Sequence, residues 1–473
     1  MSTEQLYQDR LNRYVTALRN EKPDRVPIRP FVAEFTAKYA GMTCQDVVHD
    51  YHRAFEAAVA CAKDFDWDAI VPNMVYVWTG LAQTLGLRYY GIPGVHVPPD
   101  VGFNYIEPPE DQAFMHEDEY DALIADPTGY LYETWLPRVS SEVGRGGARA
   151  KMALVKASWA MQEYFTAFGP QVERLRTECG MPCSIAGIFK APFDIIADKL
   201  RGYIGLTMDM YTQPDKVLAA AEALMPHLCH MGLSTGDPTG TLPIGFWMHR
   251  GCVPFITPSQ FDSHYWPTLR PIIEEFWKQG RQTLFYGEGQ WRAHFDAFRE
   301  LPDRSIVFHV DRDDIFEAHA RLHDKFALSG GVHNTLLSYG KPADVADRVR
   351  RIIEEVAADG GYILDSSAIM QNDTSIDNMR VFTQTAREYG LYDDHDPPSA
   401  TPPAQAGDSP QVRPTLRGMA GRSATPAAGV CLPWEQIVAE TGDMQGDVAM
   451  MERIWNGIDG AGNGFIWQML LSF

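Results

Sequence analysis

Residues 360–378, GGYILDSSAIMQNDTSIDN, hold the pattern that most restricts this chain. The apolar run 362–364 turns polar abruptly at Asp365, and a loop rich in Asn and Asp follows. Amphipathic segments at 350–358 and 379–389 flank it. The order is helix, buried strand, polar loop, helix. A strand whose polar residues begin at its C-terminal end is the hallmark of the catalytic face of a TIM barrel. Seven earlier runs fit the same description: 27–31, 68–72, 183–189, 242–248, 282–286, 305–308 and 326–329. Parallel strands need crossover helices between them, and the spacings allow one each. The expected fold is therefore α/β, a (β/α)8 barrel spanning 1–394.

The segments between the runs read as helices at 4–21, 46–63, 150–178, 194–208 and 214–232. Residues 74–140 break the rhythm with Tyr, Pro, Gly and Asp, and read as an insertion over the C-terminal mouth, where it would shape a pocket. Residues 395–429 are Pro, Ala, Gly, Ser and Thr, the composition of a flexible linker. Residues 430–473 regain Trp434, Ile454, Trp455, Phe465 and Trp467. That tail must bury its apolar groups on its own barrel, on a second subunit of a homodimer, or on another partner.

Net charge is −21, which argues against nucleic acid and anionic membranes as partners. The seven cysteines include no CxxC pair, and no apolar run reaches membrane-spanning length. With no signal-like apolar stretch near the start, a reducing, cytoplasmic setting is expected.

Barrel logic gathers strand-end residues at one mouth. These are Glu34, Asn73, Lys190, His249, Tyr286, Glu288, His309, Asp311, His333 and Asp365, with Arg250 beside them. Glu288, His333, Asp365 and Tyr286 are the candidates for catalysis. Glu34, Asn73, Lys190 and Arg250 are the candidates for holding substrate, the two cations for a carboxylate. His249, Glu288 and His309 are the candidates for a divalent metal such as zinc, and the same groups suit metal-free acid–base work. No GxGxxG, GxxxxGK[ST], GxSxG or HExxH motif is present.

The segments NRYVTALRNEKPDRVP, PFDIIADKLRG, TQPDKV, FITPSQFDSHYWPTLRPIIEEFWKQG and GKPADVADRVRRIIEEVAADGGYIL resemble, in order, the uroporphyrinogen decarboxylase superfamily from about residue 10 to 392. That resemblance implies a (β/α)8 barrel. It also implies either porphyrin decarboxylation or methyl exchange with corrinoid proteins. The decarboxylases carry an arginine-rich RQAGR segment after the first strand; here the place reads PFVAEF, with Glu34. The thiol-methylating corrinoid enzymes bind zinc through His-x-Cys-Gly and a further cysteine. Here those places read Tyr286-Gly287-Glu288-Gly289 and DSSAIM, with Ser367 or Ala368 for the cysteine. The resemblance thus implies a methyltransferase that moves a methyl group from a small O- or N-methylated compound to a corrinoid (cobalamin) protein partner. The alternative it leaves open is a decarboxylase or other lyase acting on a small carboxylate.

Overall fold

Short runs of β-branched and aromatic residues form the strands, and the amphipathic stretches between them return the chain for the next one in parallel. The computed structural model describes residues 2–72, 79–109, 112–394, 426–442 and 444–471. Six parallel strands lie side by side in chain order: Ile188–Phe189, Ile244–Met248, Thr283–Gly287, Ile306–Val310, Ala327–Gly330 and Tyr362–Ile363. Two further segments complete the ring. Ile28 bridges Leu364 in parallel, the Asp68 amide donates to the Ile28 carbonyl at 2.7 Å, and Ile70 bridges Cys183 in parallel. Pro27 and Pro30 remove donors from the first of these segments, so its pairing is held by single bridges. The fold is the (β/α)8 barrel.

Side chains pointing inward fill the barrel. Phe31, Ile185, Trp247, Leu284, Val307 and Ile363 form one buried cluster. Tyr14, Ala17 and Leu18 of the first helix, Thr3–Leu18, join the same cluster, and Tyr14 donates to the Ser184 carbonyl at 2.8 Å. Each such large apolar side chain contributes roughly 1.5–3 kcal/mol by leaving water. An ion pair lies inside: Arg29 and Asp365, both fully buried, are 3.3 Å apart.

Several elements differ from the sequence expectation. The strands Thr283–Gly287 and Ile306–Val310 run one and two residues beyond their predicted ends. The helix expected at 46–63 is two, Cys44–His49 and Tyr51–Asp64, because the Asp50 side chain accepts from the His52 amide and caps the second. The helix expected at 194–208 is interrupted. Pro192–Ile195 passes into a wide π turn, Ile196–Leu200, and Gly202 breaks the backbone with φ of +80° before Tyr203–Thr212. A π turn re-aims side chains that an α-helix would point elsewhere.

Within 74–140 the described residues form helices and a two-residue antiparallel pair, Tyr90–Gly91 with Asn104–Tyr105. Most of the expected linker, 395–425, lies outside the described residues. The final helix, Val448–Leu471, buries its last turns: Trp467 stacks on His227 with ring centres 4.6 Å apart and donates to Thr128 Oγ1 at 3.1 Å. Tyr132 donates to the Gly462 carbonyl at 2.6 Å. Among the described residues, no helix is long and apolar enough to cross a membrane.

Candidate active site

The register of two neighbouring strands builds the centre of the site. Met248 pairs with Gly287, and the Glu288 amide donates to the Met248 carbonyl at 2.9 Å. The next residue on each strand, His249 and Glu288, therefore leaves the sheet at the same level. Their side chains meet, His249 Nδ1 to Glu288 Oε2 at 2.9 Å. Gly289, with φ of +95°, turns the chain away at once, and its amide donates to Asp311 at 2.8 Å. A Cβ at Gly289 would strike Cys252 Sγ.

The interrupted helix supplies the second half. Asp194 accepts from the Arg250 amide at 2.7 Å and from the Tyr265 hydroxyl at 2.9 Å. Asp198, one turn on, accepts from Arg250 Nε at 2.6 Å. Lys190 Nζ stands 3.8 Å from Asp198, and His249 Nε2 stands 3.7 Å from it, too far for a hydrogen bond. Burial alone would lower the His249 pKa, but Glu288 above all, then Asp198, outweigh it and raise it above the ordinary value; Lys190 opposes them. Asp198 is held below the usual carboxylate range: burial would raise it, but His249, Lys190 and Arg250 prevail. Burial raises Asp194 and Asp311.

His249, Glu288, Asp198, Lys190, Arg250 and Asp311 line a cavity of about 500 Å³ at the barrel mouth, with Lys199, Arg312 and Gln371. Phe103 and Tyr105, from the segment expected to cover the mouth, close one part of the wall, and Tyr105 donates to the Asp198 carbonyl.

The structure brings His249, Glu288, Lys190, Arg250 and Asp311 together on this cavity. It corrects four of the sequence candidates. Tyr286 and His309 are paired in register inside the lengthened strands and stack with ring centres 3.8 Å apart in the barrel interior. His309 Nε2 donates to the Ser367 carbonyl at 3.0 Å and Nδ1 contacts Ser329 Oγ at 2.9 Å, so both nitrogens are engaged. Burial, then the Arg29 charge, hold its pKa well below the ordinary range. His309 cannot join His249 and Glu288 as a ligand, and the expected metal set does not fit. Among the described residues no cluster of three or more His, Cys, Asp or Glu is arranged to hold a metal ion. His333 is exposed and caps the helix Asn334–Tyr339, its ring accepting from the Thr335 amide. Asp365 lies between two bridged residues, Leu364 and Ser366, so it stays in the interior, bonded to the Phe31 amide at 2.9 Å.

Glu34 is fully buried and is not among the groups lining the cavity. A Cβ on Gly102 would come 3.4 Å from its Oε1. Burial raises the Glu34 pKa to about 7, and the Glu34 and Phe103 amides offset this only in part. Asn73 lies outside the described residues. Sequence reasoning missed Asp194, Asp198, Lys199 and Arg29. The signal for the first two was a pair of acids four apart just beyond a strand end, within PFDIIADKL.

The chain belongs to the uroporphyrinogen decarboxylase family: the sequence model of "Uroporphyrinogen decarboxylase (URO-D)" matches residues 150–389, just over half of the chain. No curated protein matches it. Among solved structures it is similar to a methyltransferase from Methanosarcina mazei, with a TM-score of 0.53 at 13% identity. That likeness covers 80% of this chain and 98% of the other, and it is a likeness of fold.

Proposed function

We propose that this protein is an enzyme that removes a methyl group from a small O- or N-methylated compound and passes it to a corrinoid carried by a separate protein. The observation that carries the reading is the His249–Glu288 pair on a mouth cavity of about 500 Å³. An alkoxide or amide leaves poorly unless it is protonated. Glu288 favours the charged form of His249 and fixes the ring through Nδ1. Nε2, which has no hydrogen bond to Asp198, is then the atom that gives up a proton. As the methyl–oxygen or methyl–nitrogen bond breaks, its electron pair stays on the heteroatom, and the proton from Nε2 neutralises it. When bound, the corrinoid supplies the methyl acceptor. Asp198 orients Arg250 and keeps Lys190 close to the cavity. The family match and the methyltransferase-named structural neighbour support a fold of this kind, and a fold is used for many chemistries, so the weight rests on the site.

Decarboxylation of a small carboxylate finds less support. Arg250 and Lys190, the cations the sequence offers for it, are both turned to Asp198.

The test is incubation with a panel of O- and N-methylated donors and reduced free cobalamin. The readouts are the cobalamin absorbance and the demethylated product by mass. A His249→Gln protein that turns over as fast as the native one would count against the reading.

A further inference from the structure

Lys199 is a buried ionisable group on the cavity wall that the methyl-transfer reading leaves without a task. It sits on the π turn Ile196–Leu200, is 2% exposed, and lines the mouth cavity. Its Nζ has no hydrogen-bond partner among the described residues. Three tyrosine rings surround it, with Nζ 4.5 Å from the Tyr89 centroid, 5.1 Å from Tyr105 and 5.3 Å from Tyr90. Ring faces attract an ammonium and hold it in place, but they satisfy none of its three donors as an oxygen would. The neighbouring carboxylate, Asp198, is already committed to Arg250 and faces His249 and Lys190. The other two acids on the wall are also engaged, Glu288 by His249 and Asp311 by the Gly289 amide.

A buried amine with unfilled donors on the wall of a cavity is costly unless a ligand completes it. We propose that Lys199 anchors the carboxylate of an anionic ligand that enters the mouth cavity. The aromatic groups beside it, Tyr105 and Phe103, would cover the ligand's apolar body. Burial and the like charge of Lys190 hold the Lys199 pKa well below the ordinary range, with Asp198 opposing. A carboxylate arriving there supplies the counter-charge that the site lacks. The anchor stands on the geometry alone. The further statement, that the methyl donor is itself a carboxylic acid with its O- or N-methyl group directed to His249, rests on the methyl-transfer reading.

The test compares acids with amides of the same shape: para-methoxybenzoate against para-methoxybenzamide, and methoxyacetate against methoxyacetamide, by isothermal titration. Benzoate is the acid without a methyl group. A charge-assisted hydrogen bond of ordinary strength predicts that acids bind the native protein about 10–100-fold more tightly than the amides. Lys199→Met should reduce the acids to the level of the amides. Because it removes an uncompensated buried amine, it should also raise the melting temperature of the empty protein. Lys199→Gln serves as the second variant, and the acid–amide comparison in the native protein needs no variant at all. Equal binding of acid and amide, no binding of any acid, or an acid preference that survives in both variants would overturn the anchor. The two readings separate cleanly. Methoxy acids that bind through Lys199 but yield no methyl transfer would sink demethylation and leave the anchor, which benzoate, bound in the same way, would support by itself. Methyl transfer with equal KM from acid and amide would do the reverse.

Discussion

The imidazole of His249 and the carboxylate of Glu288 meet at 2.9 Å although 39 residues separate them, because Met248 and Gly287 are partners in one parallel ladder. The pairing is a property of register. A slip of one residue in either strand would turn one of the two side chains to the opposite face.

Glu288→Gln keeps the size and hydrogen-bonding ends of the side chain and removes its charge. The rate should fall by about 10²–10⁴-fold at neutral pH with folding intact. The proton donor is charged His249, so native activity should decline as pH rises through the elevated His249 pKa. In the variant that pKa falls, because its largest support is gone, and the declining limb should move to lower pH. A pH–rate profile with an unmoved limb would argue that His249 is not the donor.

Much of this architecture was legible in the sequence because buried parallel strands are nearly continuous apolar runs, and all eight stand where such runs occur. The site was legible only in part. His249 and Glu288 were found because their strands end where the apolar run ends. Tyr286 and His309 were placed one step too far out, since the pairing of Tyr286 with His309 and of His309 with Ser329 continues past the apolar residues. An interior histidine and an exposed one look alike in a sequence; only the partner strand distinguishes them. Arg29 stood in the open as a lone charge in PIRPF, and the partner that makes it tolerable, Asp365, is 336 positions later. Lys199 owes its direction to a π turn that helical periodicity does not announce.

Glu34→Gln should stabilise the protein above neutral pH. Burial raises the Glu34 carboxyl from 4.5 to about 7 in the folded state. A raised carboxyl pKa costs nothing below its unfolded value, and the cost grows as pH rises from there through the folded value. At about pH 8 the variant should therefore gain about 2–3 kcal/mol, and at about pH 4 almost nothing. Urea titrations at both pH values decide the matter. An equal shift at both would mean that the gain is not the removal of a buried charge.

Arg29→Met should be strongly destabilising. It leaves Asp365, fully buried, without the one cation that reaches it among the described residues. Burial has already raised Asp365 to about 6 against the pull of Arg29, and without Arg29 it should rise further. Breaking a buried pair from one side costs about 3–5 kcal/mol. The loss should be largest at alkaline pH and shrink on acidification, as Asp365 takes up its proton. The double variant Arg29→Met, Asp365→Leu should recover much of the loss. A double variant no more stable than Arg29→Met would contradict this account.

Trp467 fastens the final helix, and its removal should free that helix while sparing the barrel. The indole is fully buried, stacks on His227, and donates to Thr128. Truncating a buried aromatic costs about 3–5 kcal/mol. In Trp467→Ala, hydrogen exchange across 448–471 should therefore rise sharply, while the strand Thr283–Gly287 stays protected. The stack also carries a pH dependence. Burial, with the charge of His230 adding to it, pushes His227 from 6.5 down to about 4. A depressed histidine pKa favours the folded form at neutral pH, and that contribution is lost as pH falls from the unfolded value through the folded one. Exchange in the tail of the native protein should then rise between about pH 6.5 and pH 4, ahead of the barrel. His227→Phe keeps a ring against Trp467 but takes up no proton, so its tail should stay protected over that range. If the tail of His227→Phe opens at the same pH as the native tail, some other group controls the docking.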